Sequence, residues 1–309
     1  MNRRDLLVGA GATALGLGLG RCPLLRAAEG DAPKRRVLYL TKSAGFEHSA
    51  VKRTGEQPSY SEKVLVDIGP KNGFEITCTK DGSVFTADNL AKYDAYVFYT
   101  SGMLTEKGTD RNPPMPAEGK GALLDAIKNG KGFIGIHSAT DSFHTSPKPE
   151  DRNKNFGDKV DPYIAMIGGE FISHGPQQKA KLTCADPKFP GCEALKDGVE
   201  WMEEWYAHKD FATDLHVILV QETQGMKGAV YQRPPFPATW AHMYGKGRVL
   251  YTSLGHREDI WDNPAVQKLL LGALSWATGN VNADVTPNIA TAAPKCLELA
   301  PPEPPKPKK

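Results

Sequence analysis

The amino-acid sequence predicts an α/β protein built on one open, doubly wound and mostly parallel sheet with helices on both faces. Short apolar runs of the kind that form buried strands alternate with segments of helical periodicity. The connections between these segments are short. Because strands that alternate with helices pack into a parallel sheet covered on both faces, we expect a single domain over residues 34–279.

The first half of this domain follows the alternation regularly. A helix is predicted over residues 60–68, where apolar residues recur at helical spacing, and Gly73 supplies its stop. A turn capped by Thr86 and a second helix over residues 117–129 follow. The buried strands of this half are predicted within residues 36–44, 74–79, 93–100 and 132–136.

The second half is less regular, and some of its strands have a half-exposed pattern. A hairpin is predicted because Gly245 and Gly247 lie between two strand-like runs. Asn263-Pro264 opens a last helix that Gly279 caps. The segment Gly168-Gly169-Glu170 is predicted to form a turn. The strands predicted here cover residues 179–184, 200–208, 217–221, 239–243 and 248–253.

Both ends of the chain differ in composition from the domain. Residues 1–28 carry the pair Arg3-Arg4 and a weakly hydrophobic run, and they end in the small residues Ala27-Ala28. This pattern resembles a twin-arginine (Tat) export signal, so we expect cleavage and a periplasmic or other extracytoplasmic location. The apolar run is too short to span a membrane comfortably, so no stable anchor is expected after cleavage. Residues 280–309 hold seven prolines and are predicted to form a disordered Pro- and Lys-rich tail.

Charge and motif content exclude several classes of function. The 38 basic and 36 acidic side chains give a net charge of +2, which excludes a nucleic-acid-binding protein that works through a basic face. The sequence has no P-loop and no dinucleotide-binding fingerprint after a strand, so no nucleotide cofactor is expected. Four cysteines follow the export signal, and the pairing of Cys184 with Cys192 stays open.

Three histidines lie at the carboxyl ends of predicted strands. His48 follows the first strand, His137 ends the fourth, and His256 follows the hairpin. Ligands of open α/β sheets bind beyond the carboxyl ends of the strands, so these three side chains should converge. His144 and His174 lie in polar loops that can line the same crevice. The remaining histidines, in or beside predicted strands, are expected to be structural: His208, His216 and His242.

Two carboxylates lie among aromatic residues in the segment Trp201-Met202-Glu203-Glu204-Trp205-Tyr206. On one strand Glu203 and Glu204 point to opposite faces, so only one is expected to face the site. Such a carboxylate acts as a general acid or base or as a metal ligand, while the aromatic rings stack on a sugar. The simpler interpretation is an exposed strand with half-buried aromatic side chains.

The segment Gly135-Ile136-His137-Ser138-Ala139 has the layout of a nucleophile elbow, the sharp strand-to-helix turn that exposes a serine or cysteine in hydrolases. Here an imidazole occupies that position, and imidazole is a base or a metal ligand rather than a stable acyl acceptor. No cysteine lies at a comparable strand end. Glutaminase and thiol-protease chemistry are therefore not expected.

Several of these segments resemble, in the same order, the sequence blocks of the ThuA-like (trehalose utilisation) family. The resemblance implies a flavodoxin-like sheet related to the class I glutamine amidotransferases, with His137 standing where their nucleophilic cysteine would be. It also implies a role in sugar metabolism, on disaccharides or their 3-keto derivatives. The blocks that carry the resemblance are residues 45–48, 135–140, 168–171, 174–175, 203–206, 237–240 and 244–256.

The leading hypothesis is an exported enzyme, a hydrolase or a lyase or isomerase, that acts on a small carbohydrate with the help of a divalent metal ion. Mixed imidazole and carboxylate ligands suit zinc, manganese or iron. The alternative is a noncatalytic carbohydrate-binding protein, and a homo-oligomer fits either hypothesis. The residues assigned are His137, His174, Glu203 and Glu204 for catalysis, Phe46, Ser138, Trp205 and Tyr206 for sugar binding, and His48, His137 and His256 for the metal.

Overall fold

The computed structural model describes residues 34–301, so the predicted export signal and residues 302–309 lie outside the described residues. The strands are β1 (Arg35–Leu40), β2 (Phe74–Thr79), β3 (Ala95–Phe98), β4 (Gly132–Ile136), β5 (Glu170–His174), β6 (Gln178–Cys184), β7 (Val199–Glu203), β8 (Tyr206–Lys209), β9 (His216–Gln221), β10 (Phe236–Tyr244) and β11 (Gly247–Thr252). The α-helices are α1 (Tyr60–Ile68), α2 (Ala87–Leu90), α3 (Gly119–Lys128), α4 (Pro162–Ile167), α5 (Glu258–Trp261), α6 (Pro264–Ala277) and α7 (Ile289–Ala292).

Nine strands form one central sheet in the order β2-β1-β3-β4-β11-β10-β9-β6-β7. The first five of these strands run parallel to one another. The other four extend the sheet through antiparallel pairs. β5 and β8 pair with each other in a small antiparallel sheet. The α/β class predicted from the sequence is confirmed, and the parallel half of the sheet contains the three strands that precede the histidines of interest.

Helices cover the parallel half of the sheet. α6 packs on β4 and β11, while α3 and α4 pack on β11, so one strand is covered by two separate groups of helices. All residues of β3 and β4 are buried. This burial explains why both strands appear in the sequence as continuous apolar runs rather than as alternating ones.

The predicted helices α1 and α6 have capping interactions at their first residues, and a glycine follows α1. α1 begins with a capping box, in which the Ser59 backbone N–H donates to the Glu62 carboxylate at 2.8 Å. α6 begins at Pro264, and the side chain of Asn263 accepts a hydrogen bond from the Ala265 N–H at 2.9 Å. Gly73, the predicted stop after α1, has a φ of 84°, a conformation that glycine adopts without strain.

The strand predicted over residues 200–208 is in fact two strands in different sheets. β7 ends at Glu203 and pairs with β6, whereas β8 begins at Tyr206 and pairs with β5. The expectation that Glu203 and Glu204 point to opposite faces of one strand is therefore wrong. Glu204 lies between the two strands, so its side chain does not have to point to the sheet face opposite that of Glu203. The turn predicted at residues 168–170 follows α4, with Gly168 as the C-cap of the helix and Glu170 as the first residue of β5.

The segment after residue 279, predicted to be a disordered tail, packs on the domain up to residue 300. Ile289, Ala293 and Cys296 are buried. The Asn288 side chain accepts from the Val217 N–H at 2.6 Å and donates to the Val217 carbonyl at 3.0 Å. The composition of the segment predicted disorder, but tertiary contacts with β9 order its backbone.

In the part of the chain that the structure describes, none of the helices is long and apolar enough to cross a membrane. The four cysteines in the same part are free thiols: Cys78, Cys184, Cys192 and Cys296.

Replacement of Asn288 by alanine should lower the free energy of unfolding by about 1–3 kcal/mol, because it leaves the buried backbone N–H and C=O of Val217 without partners. Urea denaturation of the wild type and Asn288→Ala measures the difference. Gln224→Ala, at an exposed side chain, serves as the control. Equal unfolding free energies for wild type and Asn288→Ala would show that the two hydrogen bonds of Asn288 do not stabilise the fold.

Candidate metal centre

The histidines expected at the strand ends do converge in the structure. His48 follows β1, His137 comes directly after β4, and His256 lies four residues beyond the end of β11. One donor atom from each of these histidines and one from Glu204 all lie within 4.8 Å of one another. The parallel strands bring the three imidazoles together, and the break between β7 and β8 brings the carboxylate to them.

His137 is held in a strained turn and in one tautomer. Its φ is 44°, a left-handed conformation that costs a non-glycine residue about 1–3 kcal/mol. Its Nδ1 lies 2.9 Å from the carbonyl oxygen of Ser253. Because a carbonyl can only accept, Nδ1 carries the proton and Nε2 is left as a bare donor atom for a metal.

Glu204 lies at the centre of four imidazoles. Its Oε2 is 2.9 Å from His256 Nδ1, 3.5 Å from His137 Nε2 and 3.8 Å from His48 Nε2. Its Oε1 is 3.4 Å from His174 Nδ1. Burial by itself would raise the pKa of Glu204, but the neighbouring imidazoles outweigh burial and hold this pKa far below its ordinary value. The carboxylate is therefore ionised at neutral pH.

The pKa values of the imidazoles around Glu204 are shifted in different directions. Burial lowers the pKa of His137 to about 3 and also lowers the pKa of His48, so both rings are neutral at neutral pH. For His256 the lowering by burial is outweighed by the Glu204 carboxylate, and its pKa is raised. Two neutral imidazoles beside an ionised carboxylate are donors in the protonation state that a metal ion requires.

Orphaned nitrogen atoms support the fit of this donor set to a metal. His137 Nε2 and His48 Nδ1 are buried and have no hydrogen-bond partner among the described residues, and His256 Nδ1 faces the Glu204 carboxylate at 2.9 Å. A buried polar atom without a partner costs about 1–3 kcal/mol. Three imidazoles with one carboxylate form a ligand set that suits zinc, manganese or iron. The sequence predicted the three histidines and one of two glutamates, Glu203 or Glu204, as ligands, and the structure places Glu204 with the histidines.

Glu203 differs from Glu204 in its surroundings. It is fully buried, and both of its oxygens accept hydrogen bonds from backbone N–H groups, those of Glu204 at 2.8 Å and Gly255 at 3.0 Å. Burial raises the pKa of Glu203 to about 7, although these two hydrogen bonds partly offset the increase. Its side chain is closed off from solvent, which does not fit the catalytic role predicted from the sequence.

Two exposed rings border the cluster. The Phe46 side chain is 67% exposed, and its ring centroid lies 4.9 Å from that of His48. The Phe46 backbone is fixed, because its carbonyl accepts from Ser101 Oγ at 2.7 Å. The His174 side chain is 41% exposed and stacks on Tyr206 with an interplanar angle of 7°. These two rings are the surfaces that a bound molecule can reach.

The other residues predicted to bind sugar are buried. Trp205 is fully buried and donates its indole N–H to the Gln178 carbonyl at 2.8 Å, so neither face of its ring is open for stacking. Ser138 is 1% exposed and Tyr206 is 3% exposed. The hydroxyl of Tyr206 lies 3.2 Å from His48 Nε2, so this tyrosine supports the imidazole cluster. The predicted stacking role does not fit Trp205.

Some residues of the site give no signal in the sequence. The side-chain amide nitrogen of Gln177 lies 2.9 Å from His256 Nε2, and Arg257 donates to the side-chain oxygen of Gln177 at 2.9 Å. Gln177 lies in the short loop between β5 and β6, where no spacing distinguishes it from a surface glutamine. Its position beside His256 depends on the pairing of β5 with β8, which the sequence did not predict.

His144 joins the turn after β4 to β5. Its Nε2 lies 2.8 Å from Asp141 and its Nδ1 lies 3.0 Å from Glu170, while Lys209 lies 3.7 Å from the same Glu170 oxygen. Burial would lower the pKa of His144, but the two carboxylates outweigh it and raise this pKa to about 9. The ring is therefore an imidazolium that donates from both nitrogens at neutral pH.

The contribution of His144 to stability should depend on pH. Its pKa is about 9 in the folded protein and about 6.5 in an unfolded chain, so the stabilisation is complete below about pH 6.5 and is lost as the pH rises through 9. Urea unfolding at pH 6 and pH 10 should therefore show a larger deficit of His144→Gln relative to wild type at the lower pH. The same deficit at both values would contradict the ionic role of His144.

Comparisons with known proteins agree with the fold. The ThuA family model, described as trehalose utilisation, matches residues 36–277. A putative ThuA-like protein from Bacteroides uniformis superposes with a TM-score of 0.58 at 16% identity, covering 82% of this chain and 94% of that one. A putative ThuA-like protein from Parabacteroides merdae superposes with a TM-score of 0.51 at 19% identity, covering 87% and 97%. No curated protein matches the sequence. Because the family model spans most of the 309 residues, the chain belongs to the ThuA family.

Proposed function

We propose that this ThuA-family protein is a metal-dependent enzyme of carbohydrate metabolism. The observation that carries the proposal is the group of four donors, His48, His137, Glu204 and His256, whose ligand atoms lie within 4.8 Å of one another at the carboxyl ends of the parallel strands. Membership of a family described by trehalose utilisation supports a carbohydrate-related role. A divalent ion held by these donors would polarise a sugar carbonyl or lower the pKa of a bound water molecule.

His174 is the proposed acid–base residue. Among the four histidines around Glu204 its side chain is the most exposed, at 41%. Its Nδ1 lies 3.4 Å from Glu204 and 2.9 Å from the carbonyl of Gly175, which fixes the ring and leaves Nε2 available to a substrate. An imidazole in this position can move a proton at a carbon next to a keto group or at a glycosidic oxygen. The reaction class we propose is hydrolysis, or a lyase or isomerase step, on a disaccharide or a 3-keto sugar.

Phe46 is the proposed sugar-binding surface. An aromatic ring stacks on the C–H face of a sugar while the sugar hydroxyl groups form polar contacts. The exposed ring of Phe46 lies beside the metal ligand His48 and is held by a fixed backbone. The proposed partner is thus a small neutral carbohydrate, with no nucleic acid and no nucleotide cofactor.

We also propose that the protein is exported to the periplasm or another extracytoplasmic location. The twin arginine at Arg3-Arg4 and the small residues Ala27-Ala28 support export through the Tat pathway.

A noncatalytic sugar-binding protein is the second candidate. The observation that favours it is the complete burial of His137, which occupies the position of a nucleophile in the elbow and is closed to a substrate. In that case Phe46 would supply affinity, and His174 would only donate hydrogen bonds to hydroxyl groups.

Loss of one imidazole should abolish tight metal binding. His137→Ala should bind zinc or manganese about 100-fold more weakly than wild type or worse, since changes in residues that merely contact metal ligands already cost 10–100-fold. Metal analysis of protein purified without added metal and competition with a chelator measure the affinity. The control is His216→Gln, because His216 contacts Asp186 and the Thr286 carbonyl away from the cluster. A wild type that binds no divalent ion would end the metal proposal.

His174→Gln should separate catalysis from metal binding. We expect turnover to fall about 10²–10⁴-fold, the usual contribution of a general acid or base, while metal affinity falls less than in His137→Ala, because His174 contacts the ligand Glu204 without being a ligand itself. The assay follows trehalose and its 3-keto derivative in the presence of metal. Sugar binding without turnover by the metal-loaded wild type would favour the noncatalytic candidate.

A further inference from the structure

Glu203 is a buried carboxylate that accepts hydrogen bonds from the backbone of one proposed metal ligand, Glu204, and of the residue that precedes another, His256. It is fully buried, and in residues 34–301 no lysine or arginine forms an ion pair with it. Taking a carboxylate out of water costs several kcal/mol, so a buried unpaired one persists only where the fold compensates for it. The compensation visible here comes from backbone N–H groups.

Each oxygen of Glu203 accepts from one of two loops. Oε1 accepts from the N–H of Glu204 at 2.8 Å, and Oε2 accepts from the N–H of Gly255 at 3.0 Å. Glu204 is itself a proposed ligand, and Gly255 directly precedes the ligand His256. One side chain therefore ties the end of β7 to the segment after β11 and holds the backbone at two of the four donors.

The Gly255 peptide is fixed on its other side as well. Its carbonyl accepts from Tyr99 Oη at 3.1 Å and from the indole N–H of Trp261 at 2.8 Å. Gly255 has a φ of 121°, and a Cβ added there would lie 3.0 Å from a methyl carbon of Ile136. Glu203 holds the N–H of the Leu254–Gly255 peptide, and two donors hold the carbonyl of the Gly255–His256 peptide, so both peptides that flank Gly255 have little freedom to rotate.

We propose that Glu203 is a positioning residue that sets the geometry of the metal centre by holding the backbone of Glu204 and of the segment before His256. The inference rests on the proposed metal-binding function. Glu203 is not a catalytic residue, because its side chain is closed to solvent and neither oxygen lacks a partner. Both oxygens face N–H donors, an arrangement that a carboxylate, which only accepts, satisfies and that a primary amide does not.

Glu203→Gln tests the proposal. The variant keeps the shape of the side chain but turns one acceptor into an NH₂ group that faces a backbone N–H. We expect zinc affinity to fall about 10–100-fold, the usual effect of removing a partner that orients a metal ligand. The visible absorption spectrum of the Co²⁺-loaded variant should also differ from that of the wild type, because the ligands are displaced. The control is Glu200→Gln at an exposed position of the same strand, which should leave both measurements unchanged.

Two further variants keep the test decisive if Glu203→Gln does not fold. Glu203→Asp retains a carboxylate that can reach one of the two N–H groups, so its zinc affinity should lie between those of wild type and Glu203→Gln. Tyr99→Phe removes a donor from the Gly255 carbonyl and should shift the Co²⁺ spectrum with a smaller loss of affinity. Wild-type spectra and affinities in both variants would overturn the proposal.

The outcomes separate this inference from the proposed function. If the wild type binds neither Zn²⁺ nor Co²⁺, the metal-binding function fails and the positioning role fails with it. If the wild type binds both ions and folded Glu203→Gln matches its affinity and spectrum, only the positioning role is overturned. A loss of affinity and a changed spectrum in Glu203→Gln, with Glu200→Gln unchanged, supports both.

Discussion

The contact of the Glu204 carboxylate with its surrounding imidazoles is the interaction on which the rest of the site depends. The carboxylate lies 2.9 Å from His256, 3.5 Å from His137 and 3.8 Å from His48. Burial of an ionised group costs several kcal/mol, so Glu204 stays ionised only because polar contacts with these rings, and any cation between them, offset that cost. The parallel sheet brings the rings together, and the break after β7 brings the carboxylate to them.

One short segment, from the end of β11 to His256, orients two of the donors. Tyr251 donates its hydroxyl to the His137 carbonyl at 2.6 Å, and the Ser253 carbonyl lies 2.9 Å from His137 Nδ1. These contacts hold His137 in its left-handed conformation. The hydrogen bond from the Gly255 N–H to Glu203 fixes the backbone that leads to His256. The position of β11 beside β4 thus sets the backbone, the tautomer and the direction of the His137 ring.

The sequence predicted the part of the site that follows from strand order alone. His48, His137 and His256 could be placed together because carboxyl ends of parallel strands meet at one edge of a sheet. The choice between Glu203 and Glu204 could not be made, because the strand breaks where residues 199–203 pair with β6 and residues 206–209 pair with β5. Those pairings depend on distant segments, and strand propensity does not specify them. The ordered structure of residues 280–300 was not predicted for the same reason, because contacts with β9 outweigh a composition that is typical of disorder.

The elbow at His137 serves a different purpose here from the one it has in hydrolases. A nucleophile elbow uses backbone strain to push a side chain out to the substrate. In this chain the strained residue is fully buried, and its ring points toward Glu204, with Nε2 3.5 Å from the carboxylate. The strained turn at His137 thus directs Nε2 inward, where it would be a donor in the proposed metal centre. In the proposed site the buried donors would hold the ion, and the exposed rings of Phe46 and His174 would contact the substrate that the ion polarises.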